Sequence, residues 1–195
     1  AVYVVDIGTG LAIFVKGPDF TLVYDAGTQD DSKTRFLDFL DVVAPELNRI
    51  DHLIVSHAHS DHTSLLTSLL ESVQIGEIWD SGVVYASCTY QRFMEAIETE
   101  NAIYHTAVND NVTREVQFKK SCQSTGTSAT LTFGSRLETG TVPLGKTASM
   151  NFLYVDASKR SDINENSLVV MLNLGDTKIL LAGDSEGGER KDPNT

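Results

Sequence analysis

The sequence lacks any apolar run that approaches the roughly 18 to 20 residues that a membrane-spanning helix needs. Its opening residues, Ala1-Val2-Tyr3-Val4-Val5, have neither the basic region nor the long apolar core of a signal peptide. An initiator methionine is also missing, which fits a processed precursor or a trimmed chain. We therefore expect a soluble protein without a membrane segment. Its compartment stays open, with export after signal removal as one alternative.

Basic residues are scarce. The chain has 15 lysines and arginines against 27 aspartates and glutamates, which gives a formal charge of -12. Affinity for a phosphate backbone comes from rows of lysine and arginine, so this balance argues against a general nucleic-acid binder. It does not exclude a phosphodiesterase, because bound divalent cations would reverse the electric field inside a cleft.

Cysteine occurs only twice, as Cys88 and Cys122. Neither has a second cysteine or a histidine at the spacing of a zinc finger, which argues against a zinc-ribbon protein. Two alternatives stay open for the pair. They form one disulfide if the protein is exported, or they are two buried free thiols.

Length and composition predict one globular domain. With 195 residues the chain is long enough for one well-buried core. Its 41% hydrophobic and 22% charged residues are ordinary for a soluble protein, so disorder is not expected. We predict a single domain over residues 1–195.

Secondary structure is indicated by short β-branched and aromatic runs separated by glycine, proline and aspartate. The predicted strands are 2–5, 11–16, 20–24, 50–55, 75–79, 116–118, 129–133, 137–142, 152–155, 168–172 and 179–182. Helices are predicted from a cap at Asp31 or Ser32 to about Val43, over the apolar stripe 65–73, and over 90–100. This mixed order favours an α+β sandwich of sheets with helices packed outside.

Histidine is rare, yet three of the five histidines fall within six residues directly after an apolar run: His57-Ala58-His59-Ser60-Asp61-His62. We call these six residues the histidine cluster. Imidazole nitrogens and carboxylate oxygens are ligands for zinc and similar divalent metals. A strand that delivers them into the turn before a helix would place them around one cavity. The pattern predicts a site for two metal ions and hydrolysis by metal-bound water, against the alternative of a solvated polar loop.

The other two histidines are interpreted differently. His52 opens the predicted strand 51–55 and is expected to be a half-buried structural residue. His105 follows the apolar stretch 102–104 with no nearby ligand partner in the sequence, so we expect a surface or packing role.

Several motifs together resemble one family. The histidine cluster resembles the HxHxDH motif of the metallo-β-lactamase superfamily, and the segment 180–184 resembles its later strand that ends in Gly-Asp. Three further segments narrow the resemblance to the branch that contains the soluble domain of bacterial DNA-uptake competence proteins and its stand-alone relatives: 6–12, 24–27 and 164–170.

The resemblance implies a four-layer αββα sandwich with the metals at one sheet edge. In that family pattern His57 and His59 hold the first metal, Asp61 and His62 hold the second, and Asp184 bridges both. Two zinc ions are implied, with manganese as an alternative, and a metal-bound hydroxide attacks the substrate. Asp61 is the catalytic candidate, because it would orient that nucleophile or receive a proton.

The sequence departs from the family in two places. Many members supply a further histidine to the first metal where this chain has the segment 162–167, which contains none; the competence-like branch is similar in this respect. An amide is a poorer zinc ligand than imidazole, so manganese or a single metal is an alternative. No histidine follows His105, so we also expect a C-terminally incomplete fold, with exposed apolar surface that favours self-association.

Three functions remain in competition. The first is hydrolysis of phosphodiester bonds, as in a nuclease-like branch. The second is hydrolysis of a β-lactam or lactone on the same dinuclear site. The third is a non-catalytic metal-binding module, which the missing histidines favour.

Overall fold

A computed structural model describes residues 1–27, 35–100, 102–108, 113–119, 121–123 and 125–186. These residues form four α-helices: α1 Arg35–Val43, α2 Ser60–Thr63, α3 Leu66–Ser72 and α4 Cys88–Glu100. The first six strands are β1 Val2–Val4, β2 Ala12–Lys16, β3 Thr21–Ala26, β4 Arg49–Val55, β5 Gln74–Asp80 and β6 Ile103–Thr106. The next six are β7 Thr113–Gln117, β8 Ser128–Thr132, β9 Gly140–Leu144, β10 Ala148–Tyr154, β11 Val169–Leu174 and β12 Thr177–Leu181.

The first six strands form one sheet in sequence order, β1 to β6. Strands β1 to β3 pair antiparallel, whereas β3 to β6 pair parallel. Parallel neighbours need a crossover connection, and helices α1 to α4 lie in these connections. The carboxyl ends of β3, β4 and β5 therefore meet at one edge of the sheet.

The last four strands form an antiparallel sheet in the order β12-β11-β10-β9. Its register pairs Leu172 with Met150 on one side and with Ile179 on the other. Strands β7 and β8 form a separate two-stranded sheet that packs against α4.

Two apolar clusters define the layers. One contains residues from α1, α3 and α4 together with one face of the six-stranded sheet. The other lies between the two large sheets and includes Tyr24, Trp79, Phe152 and Leu172. The described residues thus give three layers of the expected αββα arrangement, and none of their α-helices covers the outer face of the four-stranded sheet.

Hydrogen bonds join the two sheets at the edge where β3 and β4 end. The Tyr24 hydroxyl donates to the carbonyl oxygen of Leu168 at 2.8 Å. The backbone N–H of Leu168 donates to the carbonyl oxygen of Ser56 at 2.9 Å. The start of β11 is therefore fixed beside the histidine cluster.

Most predicted elements are present. Strand β6 was not predicted, and β9 begins at Gly140 where a strand was predicted from Leu137. The capping prediction for Asp31 or Ser32 lies outside the described residues. No helix among the described residues is long and apolar enough to cross a membrane.

The two remaining histidines lie on β4 and β6. The His52 side chain is 13% exposed, as expected for a half-buried residue. His105 is buried, and its ring stacks on Trp79 with centroids 3.9 Å apart. The packing alternative for His105 is therefore correct and the surface alternative is wrong, because β6 turns this side chain into the space between the sheets.

The cysteines form a disulfide, with 5.8 Å between the Cα atoms of Cys88 and Cys122. It ties the start of α4 to a loop 34 residues further along the chain. Closing a loop of this length restricts the unfolded chain and stabilises the fold by about 3–4 kcal/mol.

We expect the double variant Cys88→Ser/Cys122→Ser to lose about that much free energy of unfolding in urea denaturation. Reduction of the wild type should reproduce the loss; equal midpoints before and after reduction would contradict the prediction.

Candidate metal centre

The histidine cluster begins in the loop after β4 and continues into α2. His57 and His59 lie in the loop that follows β4, and Asp61 and His62 lie in α2. Asp184 follows β12 of the other sheet. Residues far apart in the chain meet here because both sheets end at this edge.

The polar atoms of the five predicted site residues converge. The Nε2 atom of His57 lies 2.9 Å from Nδ1 of His59. The Nε2 atom of His62 lies 3.3 Å from Oδ1 of Asp184 and 4.0 Å from Oδ2 of Asp61. Ligand atoms of His57, His62 and Asp184 all lie within 4.8 Å of one another. The structure therefore brings the predicted residues together, while their ligand roles stay a prediction.

Burial differs across the centre. His57 and His62 are each 1% exposed, whereas the side chains of Asp61 and Asp184 are 26% and 43% exposed. The imidazoles therefore form the floor of the site and the two carboxylates face solvent. A substrate would approach from the carboxylate side.

Asp25 is a functional candidate that the sequence interpretation did not assign. It is the penultimate residue of β3, is fully buried, and has a φ of 56°. Its Oδ1 accepts from the backbone N–H of Ser56 at 2.7 Å, and its Oδ2 accepts from the Ser56 hydroxyl at 2.6 Å. The same Oδ2 lies 2.8 Å from Nδ1 of His62. The signal for Asp25 was its place in the family-like segment 24–27, but nothing in the sequence showed its partners.

One proton assignment satisfies this network. Nδ1–H of His62 donates to Asp25. Nδ1–H of His57 faces the hydroxyls of Ser56 at 3.0 Å and Ser167 at 3.3 Å. Both rings then keep the lone pair of Nε2 toward the centre of the site. Hydrogen bonds of this kind fix the tautomer of metal-binding histidines in proteins.

The pKa of His57 agrees with this assignment, whereas the pKa of His62 favours a second proton, at Nε2, which a metal ion bound there would displace. Burial, followed by the charges of His62 and His59, lowers the pKa of His57 to about 3, so its ring is neutral at physiological pH. Burial opposes the charged form of His62, but the hydrogen bond and charge of Asp25 outweigh it and raise the pKa of His62. Burial raises the pKa of Asp25, and the donors from His62 and Ser56 counteract that rise.

The segment that lacks the family histidine contributes in another way. Asn166 is buried, and its Nδ2 donates to the carbonyl oxygens of Asp156 at 3.0 Å and Ser158 at 3.1 Å. The next residue, Ser167, contacts His57 as described above. This segment therefore positions the ring of His57 through Ser167.

Gly10 packs directly against the backbone of the cluster. Its φ is 102°, and a Cβ there would lie 1.8 Å from the carbonyl oxygen of Asp61. Gly175 has a similarly left-handed φ of 63°, but a Cβ there would meet nothing within 4 Å. The two glycines thus share the backbone requirement and differ in the contact.

We expect Gly10→Ala to lower the free energy of unfolding by about 1–3 kcal/mol more than Gly175→Ala. Only the alanine side chain at position 10 would displace the backbone of Asp61. Each variant also has a backbone cost of roughly 1–2 kcal/mol for an alanine at a positive φ. Urea denaturation measures the difference, and calorimetric titration with Zn²⁺ should show weaker binding only for Gly10→Ala. Equal losses in the two variants would show that the contact with Asp61 has no energetic role.

Comparison with known proteins identifies the family. The family model of the metallo-beta-lactamase superfamily matches residues 5–133, which is well over half of the chain. The chain therefore belongs to the metallo-β-lactamase superfamily. No curated protein matches it at a significant level.

Solved structures show the same fold at low identity. A Cronobacter sakazakii (Enterobacter sakazakii) metallo-β-lactamase with a HARLDQ motif is 13% identical at a TM-score of 0.56, over 96% of this chain and 61% of that chain. The MIM-2 metallo-β-lactamase is 17% identical at a TM-score of 0.55, over 93% of this chain and 57% of that chain. The Rm3 metallo-β-lactamase is 13% identical at a TM-score of 0.51, over 92% of this chain and 56% of that chain. This chain thus spans about three fifths of the length of these enzymes.

Proposed function

We propose that this protein is a metal-dependent hydrolase. The observation that supports this most is the pair of histidines, His57 and His62, whose Nδ1 atoms are held by Asp25, Ser56 and Ser167. Their Nε2 atoms lie 2.9 Å from Nδ1 of His59 and 3.3 Å from Oδ1 of Asp184, respectively. Neutral imidazole and carboxylate are a donor set that fits zinc and manganese. A solvated polar loop would not bury its histidines with these partners.

In this proposal His57 and His59 would hold one ion, Asp61 and His62 would hold a second, and Asp184 would contribute its carboxylate to the same centre. Divalent ions bound there would supply Lewis acidity and activate water as the nucleophile. Asp25 and Ser56 keep the histidines in the tautomer that leaves Nε2 free. Asp61, which is partly exposed, would orient the attacking water or accept its proton at Oδ2.

Two independent observations suggest which kind of bond the protein hydrolyses. The motifs that resemble the competence branch favour a phosphodiester, and this is our first candidate. The solved neighbours are described as β-lactamases, which favours a cyclic amide or lactone as the second candidate. The formal charge of -12 favours a small phosphodiester over a long polynucleotide.

Turnover assays separate the candidates. The Zn²⁺- or Mn²⁺-loaded protein is mixed with bis(p-nitrophenyl) phosphate and, separately, with the chromogenic β-lactam nitrocefin. We expect release of nitrophenol, and His57→Ala should abolish it. Cleavage of nitrocefin alone would replace the first candidate with the second. If the protein binds metal but hydrolyses neither reagent and no lactone, the non-catalytic metal-binding module is favoured.

Self-association stays a prediction. Leu153 and Leu180 lie on the outer face of the four-stranded sheet and are 46% and 54% exposed. Exposed apolar side chains on one sheet face favour association with another surface. Sedimentation velocity over a range of concentrations tests it.

A further inference from the structure

The third imidazole of the histidine cluster, that of His59, is held differently from the other two. His57 and His62 have polar partners at Nδ1 that hold their rings, as described above. Among the described residues the imidazole of His59 has a single hydrogen-bond contact, between its Nδ1 and Nε2 of His57 at 2.9 Å. That contact needs a proton on one of the two nitrogens, whereas binding of one ion by both residues needs both lone pairs. The orientation of His59 in the proposed centre therefore has to come from another contact.

The ring of Tyr85 makes such a contact. Its centroid lies 5.5 Å from that of the His59 ring, and the two ring planes are 85° apart. This is the edge-to-face geometry that aromatic pairs prefer. The Tyr85 side chain is partly buried against the apolar cluster of α1, α3 and α4, so it forms a packed wall beside the imidazole. The part of Tyr85 that contacts His59 is the aromatic ring, which a phenylalanine would share.

Tyr85 lies in the loop 81–87 between β5 and α4, and both ends of this loop are fixed. Gly82 has a φ of 87°, and a Cβ there would lie 1.8 Å from Oγ1 of Thr106, so the backbone at this end lies directly on β6. At the other end Cys88, the first residue of α4, is held by its disulfide. A short loop that is held at both ends has few conformations, so its tyrosine has a defined position.

We propose that Tyr85 is a positioning residue of the metal centre: its ring holds the imidazole of His59 in the orientation in which His59 would bind the first ion. This role rests on the proposed function, because it requires His59 to be a ligand. Tyr85 gives no ligand atom to the ion and acts only through His59. Partners that orient metal-binding histidines are usually hydrogen-bond acceptors, and here an aromatic contact has that role.

Loss of the ring should weaken zinc binding. Without it the His59 side chain gains rotamer freedom, which metal binding must then remove. We expect Tyr85→Ala and Tyr85→Leu to weaken the apparent Zn²⁺ affinity by roughly 3- to 10-fold, between the effect of one edge-to-face pair and that of a weak orienting partner. Tyr85→Phe keeps the ring and should bind Zn²⁺ as the wild type does. Calorimetric titration measures the affinity of each protein.

Tyr3→Ala is the matched control. Tyr3 is also partly buried against the same apolar cluster, and its ring packs edge-to-face on Phe39 with centroids 5.4 Å apart. It lies on β1, which is three strands away from β4 in the sheet. Tyr3→Ala should therefore lower the free energy of unfolding and leave the Zn²⁺ affinity unchanged.

A measurement on the metal-free protein tests the ring contact itself. Diethyl pyrocarbonate modifies exposed imidazoles, and tandem mass spectrometry locates the modified histidine. In EDTA the modification of His59 should be faster in Tyr85→Ala and Tyr85→Leu than in the wild type. Tyr85→Phe and Tyr3→Ala should react at the wild-type rate.

The outcomes separate this role from the proposed function. The role is overturned if the folded Tyr85→Ala and Tyr85→Leu variants bind Zn²⁺ as the wild type does, or if His59 reacts no faster in them. It is also overturned if Tyr85→Phe or Tyr3→Ala weakens binding as much as Tyr85→Ala. Circular dichroism checks folding, and if Tyr85→Ala does not fold, Tyr85→Leu decides. A wild-type protein that binds no Zn²⁺ would overturn the proposed function and this role together.

Discussion

Replacement of His57 by alanine should remove most of the stability that Zn²⁺ confers on the wild-type protein. An ion that binds only the folded state stabilises it by about 4 kcal/mol at a concentration 1,000 times its Kd. Loss of a ligand should weaken binding by at least about 100-fold, the upper end of what loss of an orienting partner costs. At the same Zn²⁺ concentration the stabilisation then falls to about 1.4 kcal/mol or less.

Urea denaturation with Zn²⁺ or with EDTA measures this effect for both proteins. In EDTA the two proteins should differ much less than they do in Zn²⁺. Identical Zn²⁺-dependent stabilisation with and without His57 would rule out a role for this residue in metal binding.

Asp25→Asn should weaken Zn²⁺ binding by roughly 10- to 100-fold without unfolding the protein. The amide oxygen can keep the hydrogen bond from the backbone of Ser56, because Oδ1 accepts it in the wild type. The amide NH₂ then takes the place of Oδ2 and faces Nδ1 of His62. Two donors cannot pair, so His62 must move its proton to Nε2. The lone pair that would bind metal is lost.

Asp80→Asn is the matched control for Asp25→Asn. Asp80 is also buried and also lies at the carboxyl end of a parallel strand, β5, but its hydrogen bonds come from Tyr90 and Tyr104 and not from the histidines. Both variants remove a buried carboxylate, so both should change stability. Calorimetric titration should show weaker Zn²⁺ binding for Asp25→Asn alone. A similar loss of affinity in both would indicate a general effect of core disruption.

The parts of the fold and site that are encoded locally could be predicted from the sequence. The histidine cluster places several ligands within six residues, so their proximity follows from the chain itself. Strands β4 and β5 each contain a short, fully buried apolar run near the carboxyl end, Leu53-Ile54-Val55 and Ile78-Trp79, which is typical of buried parallel strands. Strand β6 was missed because it has only four residues and its second half, His105 and Thr106, is polar.

Features that depend on distant partners could not be predicted. The role of Asp25 rests on a left-handed backbone and on partners 31 and 37 residues away. The contact between Ser167 and His57 spans 110 residues, and sequence spacing alone gives no signal for it. The pairing of Cys88 with Cys122 stayed open for the same reason.

The hydrogen bonds of Leu168 to Ser56 and Tyr24 have a consequence for the order of folding. The six-stranded sheet is complete at Thr106, but Ser167 and Asp184 are synthesised much later. Contacts of such long sequence separation form slowly, because the loop entropy must be overcome first. We therefore expect a nascent chain on the ribosome to remain unable to capture metal until its last strands have docked. Metal binding would then indicate that β11 and β12 have docked beside the histidine cluster.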